Sequence, residues 1–516
     1  MIAKATFGPG LEGTFRMQVS RSLDTVAVDF DDERLVANAG LIAPASVAQH
    51  LGLRELFDER VDLGDAPGRA NVGRKAMTVI HSVLAGADSI DNCAVLRAGA
   101  TQAVLGHGVA APSTVGTFSR SFSWPHARQL DSVAGQLLVP AWAAGAGPKA
   151  GEVFTIDVDS SIHETYGLQK EGGTRFGYTS VRGYHPLYAV AGDPGDVLHS
   201  RLRGGNSHTA RGAPGFLKET FSRVRAAGVA APMRMRADSG FYSKKVVQTC
   251  QGAEVGFSIT VKMYKNVHAA ISKIADDAWK PIPYWIDEGA DVAVTDWVAF
   301  RSATDKGIPC KLVVGRVKPT PGSQLALLVD WSYHAFITDL DGDPVELDAW
   351  HRAHANVENA IRDLKYGVGL NHLPSGRFGA NAAWLALNTI AHNLSRWTVR
   401  VGGLDVVGGE EPTTAPEPEP DLDTKDNPLP APVAAPRSRP PRRRALDARI
   451  NRAAARQAGE HKNFVATDTV RQRYLAMPSR LASSARRLTL HLPARWPWAH
   501  QFTAMLEAIR AIELIS

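Results

Sequence analysis

The chain has 516 residues, with 58 Lys and Arg against 52 Asp and Glu, a formal net charge of +6, 44% hydrophobic residues and 21% charged ones. That length exceeds one ordinary core and predicts roughly two to four domains, and the composition excludes a disordered or fibrous chain. No apolar run is long enough to span a bilayer, so no membrane partner is expected, while the mild basic excess allows nucleic-acid binding without demanding it.

Three cysteines, Cys93, Cys250 and Cys310, lie far apart. They form no disulfide framework and no zinc spacing, which fits a reducing cytoplasm. The opening residues MIAKATFGPGLEGTFRM carry no apolar core of a leader, so no signal peptide is expected.

Residues 1–148 are expected to form a helical N-terminal region. Ser46 to Leu53 reads as a helix followed by a turn at Gly52, the first half of a helix-turn-helix or an ordinary helical hairpin. Pro112-Ser113-Thr114 opens another helix, with a hydroxyl available as its N-cap. Arg120, Phe122, Trp124, His126 and Arg128 then mix basic and aromatic side chains. From about residue 149 the pattern becomes strand-like. Phe154–Asp159 alternates strictly, further strands are expected at 184–191 and 197–203, a helix at 211–227 and a strand at 232–238. Three strands in succession and a fourth reached across a helix is the layout of an RNase H-like α/β core, here assigned to 149–254. Residues 255–340, with strand-like runs at Val255–Met263, Trp297–Arg301, Lys311–Val317, Leu325–Trp331 and Ala335–Thr338, read as an all-β insertion. The core resumes over 341–402 with helices at 345–366 and 379–399. Residues 403–445 form a Pro-rich linker, acidic at first (PEPEPD) and then basic around Arg442, Arg443 and Arg444, of a kind that cannot bury a core. A basic helical region, including Arg449–Arg456 and a helical stretch at 470–513, occupies 446–516.

The chemistry is carried by acids. Carboxylates that converge from rigid elements can hold hard divalent cations and so serve phosphodiester chemistry. Asp157 and Asp159 share one face of their strand, opposite Phe154, Ile156 and Val158. Asp238 ends an alternating strand in MRMRADSGFY, just before a Gly turn; capping of the next helix is the competing reading. Glu358 lies in WHRAHANVENAIRDLK, where Trp350, Ala353, Val357, Ile361 and Leu364 make an apolar stripe. His351, His354, Glu358, Arg362 and Lys365 lie beside it, either as salt bridging or as one acid among cations for a phosphate.

The segments FTIDVDSS, RADSGFY and ENAIRDLK, in that order with a β-rich stretch between the last two, resemble bacterial insertion-sequence transposases with a DDE domain of group 1. APSTVGTFSRSF, LRGGNSHTARGA, HLPSGRFGANAAWLALNTIAHNLSRW and SARRLTLHLPARWPW resemble the same family, so the likeness covers most of the chain outside the linker. The resemblance implies an RNase H-like catalytic core and an enzyme that cuts and joins DNA with Mg2+, Mn2+ being the alternative. It implies Asp159, Asp238 and Glu358 as the metal-holding acids, with Asp157 in reserve for the first position, and Lys365 as a phosphate contact beside Arg362. The family's helix often carries Tyr seven and Arg four residues before the Glu. Here these are His351 and His354, which implies phosphate contact of pH-dependent strength. DNA is the implied partner, as terminal inverted repeats and as target, bound by residues 1–148; the charge of Arg442, Arg443 and Arg444 in the linker, outside the likeness, suits contact with DNA phosphate. A homodimer in the DNA complex and a bacterial, nucleoid-associated cytoplasmic location follow from the same likeness. A nuclease of the same fold without strand transfer, or a non-catalytic DNA-binding derivative, are the alternatives.

Overall fold

A computed structural model describes residues 26–166, 169–173, 181–284, 286, 288–322, 330–404, 466–484 and 487–512. The linker from residue 405 on, Arg442, Arg443, Arg444 and the helix expected at Arg449–Arg456 lie outside the described residues, as does most of the strand expected at Leu325–Trp331.

After the short strand β1 (Leu35–Val36) come α1 (Ile42–His50), α2 (Leu53–Arg60), α3 (Val72–Leu84), α4 (Thr101–Leu105), α5 (Pro112–Arg120), α6 (Trp124–Gln136) and α7 (Leu138–Ala141). Gly52 joins α1 to α2 with φ +62°, a conformation that favours glycine. The expected hydroxyl cap of α5 is absent: Ala111 holds the cap position and Pro112 starts the helix, where its missing N–H costs nothing. Ser123 instead caps α6, in reciprocal contact with His126.

The sheet begins with β2 (Phe154–Ser160), followed by β3 (His163–Glu164), β4 (Gly183–Tyr184), β5 (Leu187–Ala191), β6 (Val197–Arg201), α8 (Ala213–Ala226), β7 (Met233–Ala237), α9 (Lys244–Gly252) and β8 (Val255–Val261). After α10 (Lys265–Ile271) come β9 (Lys280–Pro281), β10 (Ala290–Ala299), β11 (Ile308–Val317) and β12 (Ser332–Thr338). The nine-stranded sheet has the order β6-β5-β2-β7-β8-β12-β11-β10-β9. Its first five strands, with β2, β7 and β8 parallel and β5 antiparallel to β2, are an RNase H-like core.

Two corrections follow. Val255–Val261, assigned from sequence to the insertion, is the last strand of the core, paired with β7 over its length. The β-rich insertion is an outgrowth of the same sheet, because β12 adds antiparallel to β8. One continuous ladder leaves no exposed edge between the two parts.

The chain continues through α11 (Pro344–Arg352), a tight turn over Ala353–Asn356, α12 (Val357–Arg362), a wide turn over Asp363–Gly367, and α13 (Phe378–Val401). Buried from Ala380 to Val399, α13 is the axis around which α1, α3, α5 and α6 pack. Several of its buried polar side chains are hydrogen-bonded, among them Asn388 to the Val368 carbonyl and Thr389 to the Leu385 carbonyl. Asn393, for example, accepts from the Val197 N–H (2.8 Å) and donates to the Val197 carbonyl (2.9 Å), completing the start of edge strand β6.

The C-terminal stretch differs from the helix expected over 470–513. It contains a hairpin, β13 (Ser479–Ser484) with β14 (Arg487–His491), before the helix Ala499–Arg510. β13 pairs with β1, so the two ends of the described chain share a three-stranded sheet. Helical periodicity could not reveal a pairing made with residues more than 440 positions away. No helix among the described residues is long and apolar enough to cross a membrane.

Candidate active site

The parallel pairing of β2 with β7 ends at Val158 opposite Ala237. The next residues are Asp159 and Asp238, so the two acids leave adjacent strands side by side. Neighbouring strands lie about 4.8 Å apart. Asp238 turns its carboxylate back to accept from the Gly240 N–H (3.0 Å), so the helix-capping role and the site position coexist. Asp159 accepts from the Ser160 N–H (2.6 Å). Burial raises the Asp159 pKa to about 6, with the charges of Asp238 and Glu358 adding to the rise and His354 opposing it. Glu358 is exposed on α12, which packs on β2. The three sequence-chosen acids thus sense one another around Asp159.

Asp157 plays another part. Arg236, its register partner on β7, grips both of its oxygens (2.7 and 2.7 Å), and His354 Nδ1 lies 2.8 Å from Oδ1. Burial alone would raise the Asp157 pKa; Arg236 and His354 hold it below the ordinary range. Arg236 also donates to the Trp350 carbonyl (2.5 Å), and its guanidinium lies 5.2 Å from the centre of the Trp350 ring. Three hydrogen bonds thus already engage this carboxylate. Asp157, the reserve ligand, thus fastens the segment leading into the Glu358 helix across β2 and β7.

The histidines turn inward as well. His351 is buried, stacked 4.0 Å from Phe336 and hydrogen-bonded to Ser258 Oγ (2.6 Å) and Thr260 Oγ1 (3.0 Å). Burial lowers its pKa to about 3, so it is neutral, and it faces the sheet. His354 is drawn inward to Asp157; burial opposes its charge, but Asp157 raises its pKa above the ordinary value. The reason for the misplacement is the tight turn at Ala353–Asn356. It advances each residue by about 120° instead of about 100°, so a helical wheel drawn through it loses phase.

Lys365 donates to the Ile162 carbonyl (3.0 Å), and burial lowers its pKa while Asp159 partly restores it. Arg362 is exposed and donates to the nearby Asn359 Oδ1 (2.7 Å). Trp297 is half-buried against the core. Trp331 lies against Arg316, which is also packed on Trp279.

Sequence reasoning missed Arg236, Arg203 and His185. Arg203 is half-buried and donates to the carbonyls of His185, His208, Thr209 and Arg211, which shapes the LRGGNSHTARGA loop. Thr209 of that loop abuts Gly240 and lies 3.4 Å from Ser160 Oγ, whose other partner is His185 Nε2 (2.9 Å). The available signal was an Arg at the centre of a buried strand, which demands an acid on a neighbouring strand.

A second acid cluster stands at the edge strand β6. Asp131, His199 and Glu219 present ligand atoms within 4.8 Å of one another, the one such group among the described residues. Arg128 pairs with both acids, Arg223 with Asp131 and Arg201 with Glu219. Three guanidinium groups already neutralise these carboxylates, so the cluster is an ion-pair lattice tying α6 and α8 to β6. The oxygens of Asp159, Asp238 and Glu358 are not all that close together, as expected of carboxylates without a shared counter-charge. Ions in a two-metal site lie about 3.5–4 Å apart, so ligands of different ions need not touch. Hard oxygen donors, and a carboxyl whose ionisation its neighbours disfavour, suit a divalent cation there.

An RNase H-like sheet with acids at the ends of adjacent parallel strands defines a nucleic-acid-processing class of fold. The family model for the transposase DDE domain, group 1, matches residues 19–402, and the chain belongs to that family. No curated protein matches the chain. Among solved structures, a piggyBac transposase synaptic complex with hairpin DNA, determined by cryo-EM, is similar at 11% identity with a TM-score of 0.38. That likeness covers 72% of this chain and 77% of the other.

Proposed function

We propose that this transposase binds the ends of an insertion sequence and cuts and rejoins DNA there, with Asp159, Asp238 and Glu358 holding divalent cations. The observation that carries the reading is the register that sets Asp159 beside Asp238, with the Glu358 helix stapled over them by Asp157, Arg236 and His354. The ions would be Mg2+, Mn2+ being the alternative; when bound, they polarise the scissile phosphate and stabilise the attacking and leaving oxygens.

The chain's own side chains orient the substrate. Lys365 and the exposed Arg362 flank the acids and would hold backbone phosphates, which fixes position without reading sequence. The N-terminal helices and the basic residues Arg442, Arg443 and Arg444 would bind the terminal repeats, and a homodimer would pair two ends. A bacterial, nucleoid-associated location accords with this reading. His351 and His354 both face inward, so phosphate contact beside Glu358 would rest on Lys365 and Arg362.

The test is a duplex carrying the element's terminal repeat, incubated with Mg2+ and target DNA. Wild-type protein should release a 3′-hydroxyl strand and join it to target, and Glu358→Gln should bind but not cut. Cutting without joining would make it a nuclease, and binding without cutting a regulator.

A further inference from the structure

The family match ends at residue 402, yet the chain returns to the Glu358 helix after the linker. We propose that Thr467 and Arg471, both outside that match, are positioning residues of the active site, clamping the helix that carries Glu358 and Lys365. The proposal rests on the function read above.

Asp363 lies between those two residues, directly after the last residue of α12. Its buried carboxylate accepts from the Thr467 N–H (2.8 Å) and the Thr467 hydroxyl (2.7 Å), and His392 Nδ1 lies 2.9 Å from it. Thr467 begins a helical turn, so its N–H has no partner within that turn. The carboxylate supplies one, and the arrangement is fully buried: Asp363, His392 and Thr467 are 4%, 0% and 0% exposed. Gly367 permits this closeness, since a Cβ there would meet Asp363 Oδ1 at 2.2 Å and Thr467 Cβ at 3.2 Å.

Arg471 makes the second tie. It donates to the Gly367 carbonyl (2.5 Å), at the end of the Glu358 helix, and to the Val83 and Leu84 carbonyls (3.2 and 2.9 Å), at the end of α3. A cation that answers the free carbonyls of helix ends is favourably placed. One segment therefore joins the N-terminal helices to the helix bearing Glu358. Asp157 and Arg236 fasten that helix at its other end. Groups that orient metal-holding side chains from behind typically cost about 10–100-fold in metal affinity or activity when removed.

The experiment uses the full chain with Thr467→Val, Arg471→Met and the conservative Thr467→Ser. Single-turnover cleavage of the end duplex at saturating DNA is followed across a MgCl2 titration, with DNA affinity and amide exchange of residues 357–367 measured in parallel. Thr467→Val and Arg471→Met should raise the half-maximal Mg2+ concentration about tenfold, speed exchange in 357–367 and leave DNA affinity unchanged. Thr467→Ser should restore the wild-type titration. Wild-type Mg2+ dependence in Thr467→Val, or equal impairment of Thr467→Ser and Thr467→Val, overturns the positioning role while leaving the enzyme reading intact. A wild-type protein that never cuts fails before any substitution, and marks the failure of that reading instead.

Discussion

Two acid clusters sit on one sheet and behave in opposite ways. At the β6 edge, Asp131 and Glu219 meet Arg128, Arg201 and Arg223 around the buried His199. Burial would raise Asp131, but the contacts with His199 and Arg223 hold its pKa below the ordinary range. Burial lowers His199 to about 4. At the ends of β2 and β7, Asp159 has the acids Asp238 and Glu358 for neighbours, and burial together with their charges raises its pKa to about 6. The first cluster is electrostatically complete and serves stability. The second is left short of positive charge, at a cost in stability that a divalent cation would offset. Ligand spacing alone singles out the β6 cluster; the count of surrounding cations distinguishes the two.

The sharpest break between the two lies in activity. Asp159→Asn, Asp238→Asn and Glu358→Gln should each lower strand cleavage by on the order of 10^4-fold with end binding retained, on the scale of losing an essential catalytic group. Asp131→Asn should leave cleavage per folded molecule near wild type. Cleavage assays corrected for folded fraction decide this, and a comparable loss in Asp131→Asn would erase the distinction.

Stability should run the other way. Asp131→Asn leaves buried guanidinium charge uncompensated and should cost about 3–5 kcal/mol in denaturant unfolding, as breaking a buried ion pair does. Asp157→Asn should cost a similar amount and also release the Glu358 helix. A loss below about 1 kcal/mol in both would mean that these pairs are exposed in solution.

A smaller effect of opposite sign is expected at Asp159. Its folded pKa of about 6 exceeds the ordinary value, so the folded state binds more protons between the two values. Stability is therefore fully present below about pH 4 and falls as pH rises through about 6. In metal-free buffer above that pH, Asp159→Asn should be more stable than wild type by roughly 1–2 kcal/mol, allowing for partial solvent screening. Mg2+ should stabilise the wild type and not the variant. A destabilised Asp159→Asn at pH 7.5 without metal would count against the frustrated-charge picture.

The smallest effect belongs to the linker. Deleting residues 410–436 should leave cleavage nearly intact, because a Pro-rich spacer tolerates changes of length. Replacing Arg442, Arg443 and Arg444 with Ala should reduce the salt slope of DNA binding by roughly three counter-ions. A slope unchanged by the substitutions would remove these residues from the DNA contact.

Much of this was written in local pattern. Strict alternation located Phe154–Asp159, the run ending at Asp238 located β7, and the apolar stripe through Val357, Ile361 and Leu364 located the helix that carries Glu358. These signals survive because period 2 and period 3.6 are local consequences of backbone geometry. Phase was lost where the helix tightened at Ala353–Asn356, which turned His351 and His354 from expected phosphate contacts into buried partners of Ser258, Thr260 and Asp157.

Outside the C-terminal stretch, the sequence by itself determined most kinds of element, their order, and which acids lie at the ends of rigid strands, because each of these depends on neighbours along the chain. Only the tertiary structure decided that Asp157 belongs to Arg236, that β8 completes the core, that β13 pairs with β1, and that Thr467 reaches Asp363. Those are partnerships between residues distant in sequence. A buried charge announces that it needs a partner, but the pairing of strands and the docking of helices choose which one it receives.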